Sequence, residues 1–115
     1  MLVKSSDRKK KYIFVCRIPF KGVFVLCKTS NPTADEVQNQ CLTSGDPLYL
    51  HIAKQSLHWG DASRIGLVLG ATDISALKTV RQALPNYWFL TPGIGHQHGD
   101  LKEVSLLILT ASILI

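Results

Sequence analysis

Apolar residues come in short runs along this chain, separated by polar stretches rich in turn chemistry. Tyr12 to Val15 and Val23 to Cys27 read as strands, the second continuously apolar as expected of a strand buried on both faces. Thr29-Ser30-Asn31-Pro32 ends that run. Thr33 is then an N-cap for a helix over Ala34 to Cys41, with Glu36 completing a capping-box pattern. Gly45-Asp46-Pro47 opens the next helix, Asp46 as cap and Pro47 in the first turn. Leu48, Ile52, Leu57 and Trp59 follow its stripe up to Gly60. Ile65 to Leu69 predicts another buried strand, closed by Gly70. Asp73 or Ser75 starts a further helix, whose Leu77, Val80, Ala83 and Leu84 share a face until Pro85-Asn86 stops it. Tyr87 to Leu90 is the last core strand of the series, with Thr91-Pro92-Gly93-Ile94-Gly95 directly behind it.

The alternation of strand and helix, with short connections, predicts parallel βαβ units and hence an α/β fold. It leaves an open sheet and a closed barrel equally allowed. In both, ligands bind in the loops that follow the strand C-termini. Three polar loops occupy such positions: Lys28 to Pro32, Gly70 to Asp73, and Pro92 to Asp100. In the last, Gly93, Gly95 and Gly99 surround Gln97. Glycine lets backbone N–H groups approach an anion and permits positive φ, so a phosphate cradle with a reading amide at Gln97 is reasonable. The Gly-x-Gly-x-x-x-Gly spacing is one residue longer than a dinucleotide fingerprint.

His96, His98 and Asp100 alternate and would point the same way on an extended segment, as metal ligands do; an exposed polar loop is the simpler reading, and no metal is expected. His51 and His58 are expected to face solvent. Ser30 lies outside a Gly-x-Ser-x-Gly elbow, Cys27 lies within a strand as a small buried side chain, and no Asp-x-Lys-x-x-Asp array occurs. No catalytic residue is identified.

Charge narrows the partners. Of 13 Lys and Arg, eight fall in residues 1 to 28 beside one acid, Asp7, giving +7; residues 29 to 115 carry five basic against seven acidic side chains, giving −2. The basicity therefore belongs to a leader around Arg8-Lys9-Lys10-Lys11, read as a solvated tail in preference to a nucleic-acid or localisation patch. Cys16, Cys27 and Cys41 form no Cys-x-x-Cys pair, which argues against zinc or a disulfide scaffold and suits a reducing compartment. No secretory signal is recognised. The apolar run from Leu106 to Ile115 is ten residues long, half of what a membrane helix needs, so no membrane partner is expected.

Three segments, as they stand, resemble one family. Gly22-Val23-Phe24-Val25-Leu26-Cys27-Lys28-Thr29-Ser30-Asn31-Pro32 resembles the fifth strand and following loop of the orotidine 5′-phosphate decarboxylases, in the branch carrying Lys-Thr-Ser-Asn-Pro. Gly66-Leu67-Val68-Leu69-Gly70-Ala71-Thr72 resembles strand six. Trp88 to Asp100, with Thr91-Pro92-Gly93-Ile94-Gly95-His96-Gln97-His98-Gly99, resembles strand seven and its phosphate loop. The resemblance implies a partial (β/α)8 barrel over residues 21 to 104, between a basic leader at 1 to 20 and an apolar tail at 105 to 115 that is a candidate strand. A whole barrel takes about 250 residues, so the chain is expected to be a fragment.

The family likeness further implies cofactor-free decarboxylation of orotidine 5′-phosphate to uridine 5′-phosphate in pyrimidine biosynthesis. Ser30 would hydrogen-bond the pyrimidine, Gln97 would bridge pyrimidine and phosphate, and the backbone near Gly95 and Gly99 would shape the phosphate pocket. The family's catalytic Lys–Asp network belongs to strands two and three and has no counterpart here. Nor has its strand-eight Arg. Lys28 comes from the wrong loop to be the catalytic lysine, and His96 and His98 stand where the family usually has small residues. The expectation is a cytoplasmic parent enzyme, a homodimer, of which this chain is a part inactive alone. The alternatives are a non-catalytic module that binds a nucleotide phosphate or a protein, and a nucleic-acid binder using the leader.

Overall fold

The structure, a computed structural model, describes residues 19, 21–94, 102, 104 and 113–114. The strand expected at Tyr12 to Val15 lies outside them. Four strands form one sheet in chain order, β1 (Val23–Lys28), β2 (Ile65–Leu69), β3 (Trp88–Leu90) and β4 (Ile113–Leu114), and each neighbouring pair is parallel. Parallel neighbours cannot be joined by a hairpin and need a crossover. Helices α1 (Ala34–Gln38) and α2 (Leu48–Ser56) supply it between β1 and β2, and α3 (Ile74–Ala83) between β2 and β3. The α/β expectation holds.

The core lies between one face of the sheet and the helices. Val25, Leu67 and Phe89 align across three strands and are buried, facing Leu50, Ala53, Leu77 and Val80. The opposite face is open. Phe24 and Trp88 flank Gly66 in the next row and are 47% and 43% exposed; Leu26, one row on, is 57% exposed. The expectation that Val23 to Cys27 is buried on both faces is thus corrected. Among the described residues a single helical layer covers the sheet, so burial alternates along β1 despite its uniform hydrophobicity.

The helices differ from expectation in instructive ways. Thr33 occupies the N-cap position of α1 without a side-chain capping bond; its hydroxyl accepts from Asn31 Nδ2 instead. The helix stops at Gln38 rather than Cys41, since it buries only Ala34 and has little apolar face to extend. Pro47, not Asp46, caps α2, because Asp46 is engaged by Lys54 Nζ at 2.8 Å. The buried face of α2 is Tyr49, Leu50, Ala53 and Ser56; Leu57 is exposed, and Ile52 and Trp59 pack on the margin of the core. In α3, of the two expected starts Asp73 and Ser75, Asp73 is the cap, and Leu77, Val80 and Leu84 are buried. Ala83 is exposed, and the buried set is Ala76, Leu77, Val80, Arg81 and Leu84. Arg81 lies over the Phe89 ring at 3.6 Å and donates to the Tyr87 carbonyl at 2.8 Å, fastening the end of α3 to the start of β3.

This one-sided core predicts unequal costs along one strand row and the next. Phe89→Ala should destabilise by about 3–5 kcal/mol, as large core truncations do, whereas Leu26→Ser should stay within about 0.5 kcal/mol of the parent. Urea denaturation followed by circular dichroism measures both, and similar losses at the two positions would show that the open face is packed after all.

Candidate functional site

The C-terminal ends of β1, β2 and β3 bring the three polar loops together. Gly70 N–H donates to the Lys28 carbonyl at 2.9 Å, and the Thr72 hydroxyl donates to the Ser30 carbonyl at 3.1 Å, joining the first two loops. Ala71 N–H donates to the Pro92 carbonyl at 2.8 Å, joining the second to the third. Gly70 is required by close approach: a Cβ there would lie 2.8 Å from Ser30 N and Cα, backbone atoms that cannot swing aside. Gly93 has φ of 94°, the positive value its type was expected to permit. On the outer side, Thr29 N–H donates to Gln38 Oε1 at 2.8 Å and Gln38 Nε2 donates to the Thr29 hydroxyl at 2.9 Å. The loop carrying Ser30 is therefore held at both flanks.

Beneath the loops lies a charged cluster that hydrophobic patterning did not foresee. Between Leu26 and Lys28 the register of β1 against β2 slips, so that Lys28 pairs with Leu69. Bulges re-aim side chains, and this one turns Lys28 under the end of the sheet toward the helices. Its ammonium donates to Asp35 Oδ1 at 2.7 Å, Asn39 Oδ1 at 2.5 Å and Asp73 Oδ2 at 2.6 Å, and sits 5.1 Å from the Tyr49 ring centre. An ammonium has three N–H donors, and all are used. Asp73 Oδ1 meanwhile accepts from Ala76 N–H at 2.9 Å, so one carboxylate caps α3 and binds Lys28. One signal was present in the sequence: a lone Lys ends an apolar run, and Asp35 and Asn39 follow one helical turn apart.

A cleft of about 460 Å³ opens here, bordered by Ser30, Asn31, Pro32, Thr72 and the Lys28–Asp35–Asp73 cluster. A second hollow, of about 280 Å³, lies at the opposite end of the sheet against Phe24, Gly66 and Trp88. It belongs to the open apolar face, and ligands of parallel sheets bind at strand C-termini, which favours the cleft. Ser30 is half-buried and borders the cleft. Gly95, Gln97 and Gly99 lie outside the described residues, as do His96, His98 and Asp100. Cys27 is buried inside the strand, and burial pushes its thiol up to about 12. His58 is exposed and His51 half-buried. No cluster of His, Cys, Asp and Glu able to hold a metal occurs among the described residues.

Comparison with known proteins agrees with the loop sequences. The family model described as Orotidine 5′-phosphate decarboxylase / HUMPS family matches residues 4–112. A relative named orotidine 5′-phosphate decarboxylase from Herpetosiphon aurantiacus is 45% identical over 85 residues, which is 73% of this chain and 32% of the relative. One of the same name from Halorubrum lacusprofundi is 48% identical over 82 residues, 71% of this chain and 30% of the relative. Among solved structures, Leishmania donovani UMP synthase matches with a TM-score of 0.73 at 38% identity, over 86% of this chain and 23% of that one. The OMP decarboxylase of Leishmania donovani gives 0.72 at 36%, over 87% and 40%. The chain thus spans about a third of the length of the curated relatives it matches.

The Lys28–Asp73 pair gives the site a pH signature. Burial alone would raise the Asp73 carboxyl, but the Lys28 ammonium and the Ala76 amide outweigh it and hold the group below the usual carboxylate range. Burial alone would lower Lys28, but Asp35 and Asp73 outweigh it and raise its pKa. The Asp73 contribution to stability is complete above its unfolded pKa of about 3.9 and is lost as pH falls through the lower folded value. That of Lys28 is complete below about 10.4 and is lost as pH rises through its higher folded value. Asp73→Asn should therefore cost about 2 kcal/mol at pH 7, less than a fully buried pair because Asp73 keeps 26% exposure. Urea midpoints should converge with the parent as pH falls through the lowered folded pKa; a gap that stays the same size as pH falls would exclude the pair as its origin.

Proposed function

The chain belongs to the orotidine 5′-phosphate decarboxylase / HUMPS family, and we propose from that premise that it supplies the pyrimidine-reading part of a site that converts orotidine 5′-phosphate to uridine 5′-phosphate. The observation that carries the proposal is the joining of three loops at the ends of adjacent parallel strands, with Ser30 bordering the cleft that the first two of them line. On this reading β1, β2 and β3 are strands five, six and seven of a (β/α)8 barrel. Residues 21 to 104 are the family core between a basic leader and an apolar tail, and the curated alignments of 82 and 85 residues support a core of that length.

The chemistry of the cleft fits an uncharged, hydrogen-bonding heterocycle. Thr29, Ser30, Asn31 and Thr72 offer neutral donors and acceptors there, while one ammonium faces two carboxylates. The excess negative charge disfavours a phosphate at this point, so the phosphate is assigned to the following loop, with Gln97 between the two and Gly95 and Gly99 at its wall. No cofactor takes part. Ser30 holds the ring by hydrogen bonding, and binding energy gained away from the reacting carbon serves to orient it. Electrostatic stabilisation of the developing charge needs the Lys–Asp network, which the Asp-x-Lys-x-x-Asp pattern would mark and which this sequence lacks. Decarboxylation is accordingly assigned to a longer parent, homodimeric and cytoplasmic, and the chain alone to ligand binding. No helix among the described residues is long and apolar enough to cross a membrane.

A second reading, a protein-interaction module without a nucleotide, is favoured by the open face carrying Phe24, Leu26 and Trp88. Calorimetry of the chain with uridine 5′-phosphate separates the two. Binding with a dissociation constant on the order of 1 mM is expected, weakened about fivefold by Ser30→Ala, the value of one neutral hydrogen bond. Gly70→Ala, which forces the Ser30 backbone outward, should weaken it at least as much. Heat signals absent up to about ten times that concentration would leave the interaction reading, and carbon dioxide release from orotidine 5′-phosphate by the chain itself would overturn the assignment of turnover to a longer parent.

A further inference from the structure

We propose that Lys28 is a positioning residue: by pairing with Asp73 it locks the Ser30 loop to the Thr72 loop, and ligand affinity in the cleft depends on that pair. The hydrogen bonds described above between these two loops are neutral. Thr72 to Ser30 is an exposed hydrogen bond at 3.1 Å, for which water competes, and Gly70 to Lys28 joins the loops only at their roots. The Lys28–Asp73 contact at 2.6 Å crosses from the end of β1 to the cap of α3 and is the charged link beneath both loops. Lys28 is 1% exposed, and its three donors are committed to Asp35, Asn39 and Asp73. A group so engaged has no N–H left to give to a ligand, so its influence on binding runs through the loops it holds.

The geometry makes the arrangement directional. The bulge places the ammonium on the helix side of the sheet, while Ser30, two residues on, stands at the cleft. Asp73 spends its other oxygen on the Ala76 amide, so the start of α3 and the Thr72 loop move with the pair. Loss of either charge leaves a carboxylate or an ammonium beneath the loops without its partner, and separation of the loops lets water reach it. The predicted consequence is greatest at the loops, over and above the stability that the whole fold loses with the pair.

The test is a double-mutant cycle on the full chain with Lys28→Met, Asp73→Asn and the two combined. Asn at the cap retains a side-chain oxygen for Ala76, so Asp73→Asn removes charge while keeping the cap. One readout is hydrogen exchange of the Thr29, Gly70 and Ala71 amides against Leu67 and Val80 in the core, which needs no ligand. The other, resting on the nucleotide reading of the cleft, is calorimetric affinity for uridine 5′-phosphate. Each single variant should speed exchange of the loop amides about tenfold relative to the core and weaken affinity about tenfold, and the double variant should do no worse than either, as coupled partners behave.

Loop and core amides accelerating in step would reduce Lys28 to a general stabiliser and overturn the proposal. So would unchanged affinity in folded variants of a chain that binds, or fully additive losses. Failure of both single variants to fold would make the pair a determinant of the fold and overturn it equally. Should the parent chain bind no nucleotide, the functional reading of the cleft fails, while the exchange data still decide whether Lys28 locks the loops.

Discussion

A cation placed at the end of an apolar strand has two ways to avoid the cost of burial: reach water, or meet enough acceptors to replace it. Lys28 does the second, and much of the local structure is the set of acceptors it requires. Asp35 on α1 and Asn39 just after it lie one turn apart and so face it together, Tyr49 of α2 closes one side, and Asp73 meets it from the start of α3. All three helices are thereby fixed relative to β1 at the end where the loops emerge. The short α1, which buries little apolar surface, owes its place to these polar contacts and to the Gln38 clamp on Thr29 more than to packing.

The second constraint is the one-sided cover of the sheet. Parallel sheets are normally buried on both faces, and here the helices bury one while Phe24, Leu26 and Trp88 remain outside on the other. These residues are as apolar as their buried neighbours, so their exposure is not written into β1 itself. It fits a chain that spans about a third of the length of its curated relatives, whose remaining length offers material to cover such a face. The same face explains why the apolar hollow beside Trp88 carries little functional weight: it is a surface prepared for packing, with few groups able to orient a ligand.

Sequence patterning made some of this legible and not the rest, for identifiable reasons. Ile65–Leu69 was readable to the residue, because a continuous apolar run is closed by a glycine on which another backbone rests. The cap of α3 was readable as Asp73 or Ser75, but the second duty of Asp73 to Lys28 was not, since forty-five residues separate the two. Hydrophobic periodicity alone misplaces the buried face of α2. Close packing admitted small Ala53 and Ser56 and left the bulkier Leu57 in solvent. The bulge was invisible, as a backbone slip leaves no mark on composition, and of the burial of Lys28 the sequence carried only the spacing of Asp35 and Asn39 behind a lone Lys. Ser30 stood out only through its likeness to a family motif; residue chemistry alone made it a turn serine.

Charge balance connects these points. A site for an anionic nucleotide needs positive charge at the phosphate and, for decarboxylation, a fixed cation beside the reacting carbon. Among the described residues the Lys28 ammonium is the cation that borders the cleft, yet Asp35 and Asp73 leave its cluster one unit negative, and its protons are fully engaged. Freeing it for catalysis would dismantle the acceptors that place the loops, so it cannot both hold Ser30 in position and donate to substrate. Work that requires a mobile proton or an unpaired cation must therefore come from other strands, whereas shape and neutral hydrogen bonding are complete at this end of the sheet. On the proposed reading, the division of the chemistry between this chain and the rest of its family's site follows from the way one lysine is buried.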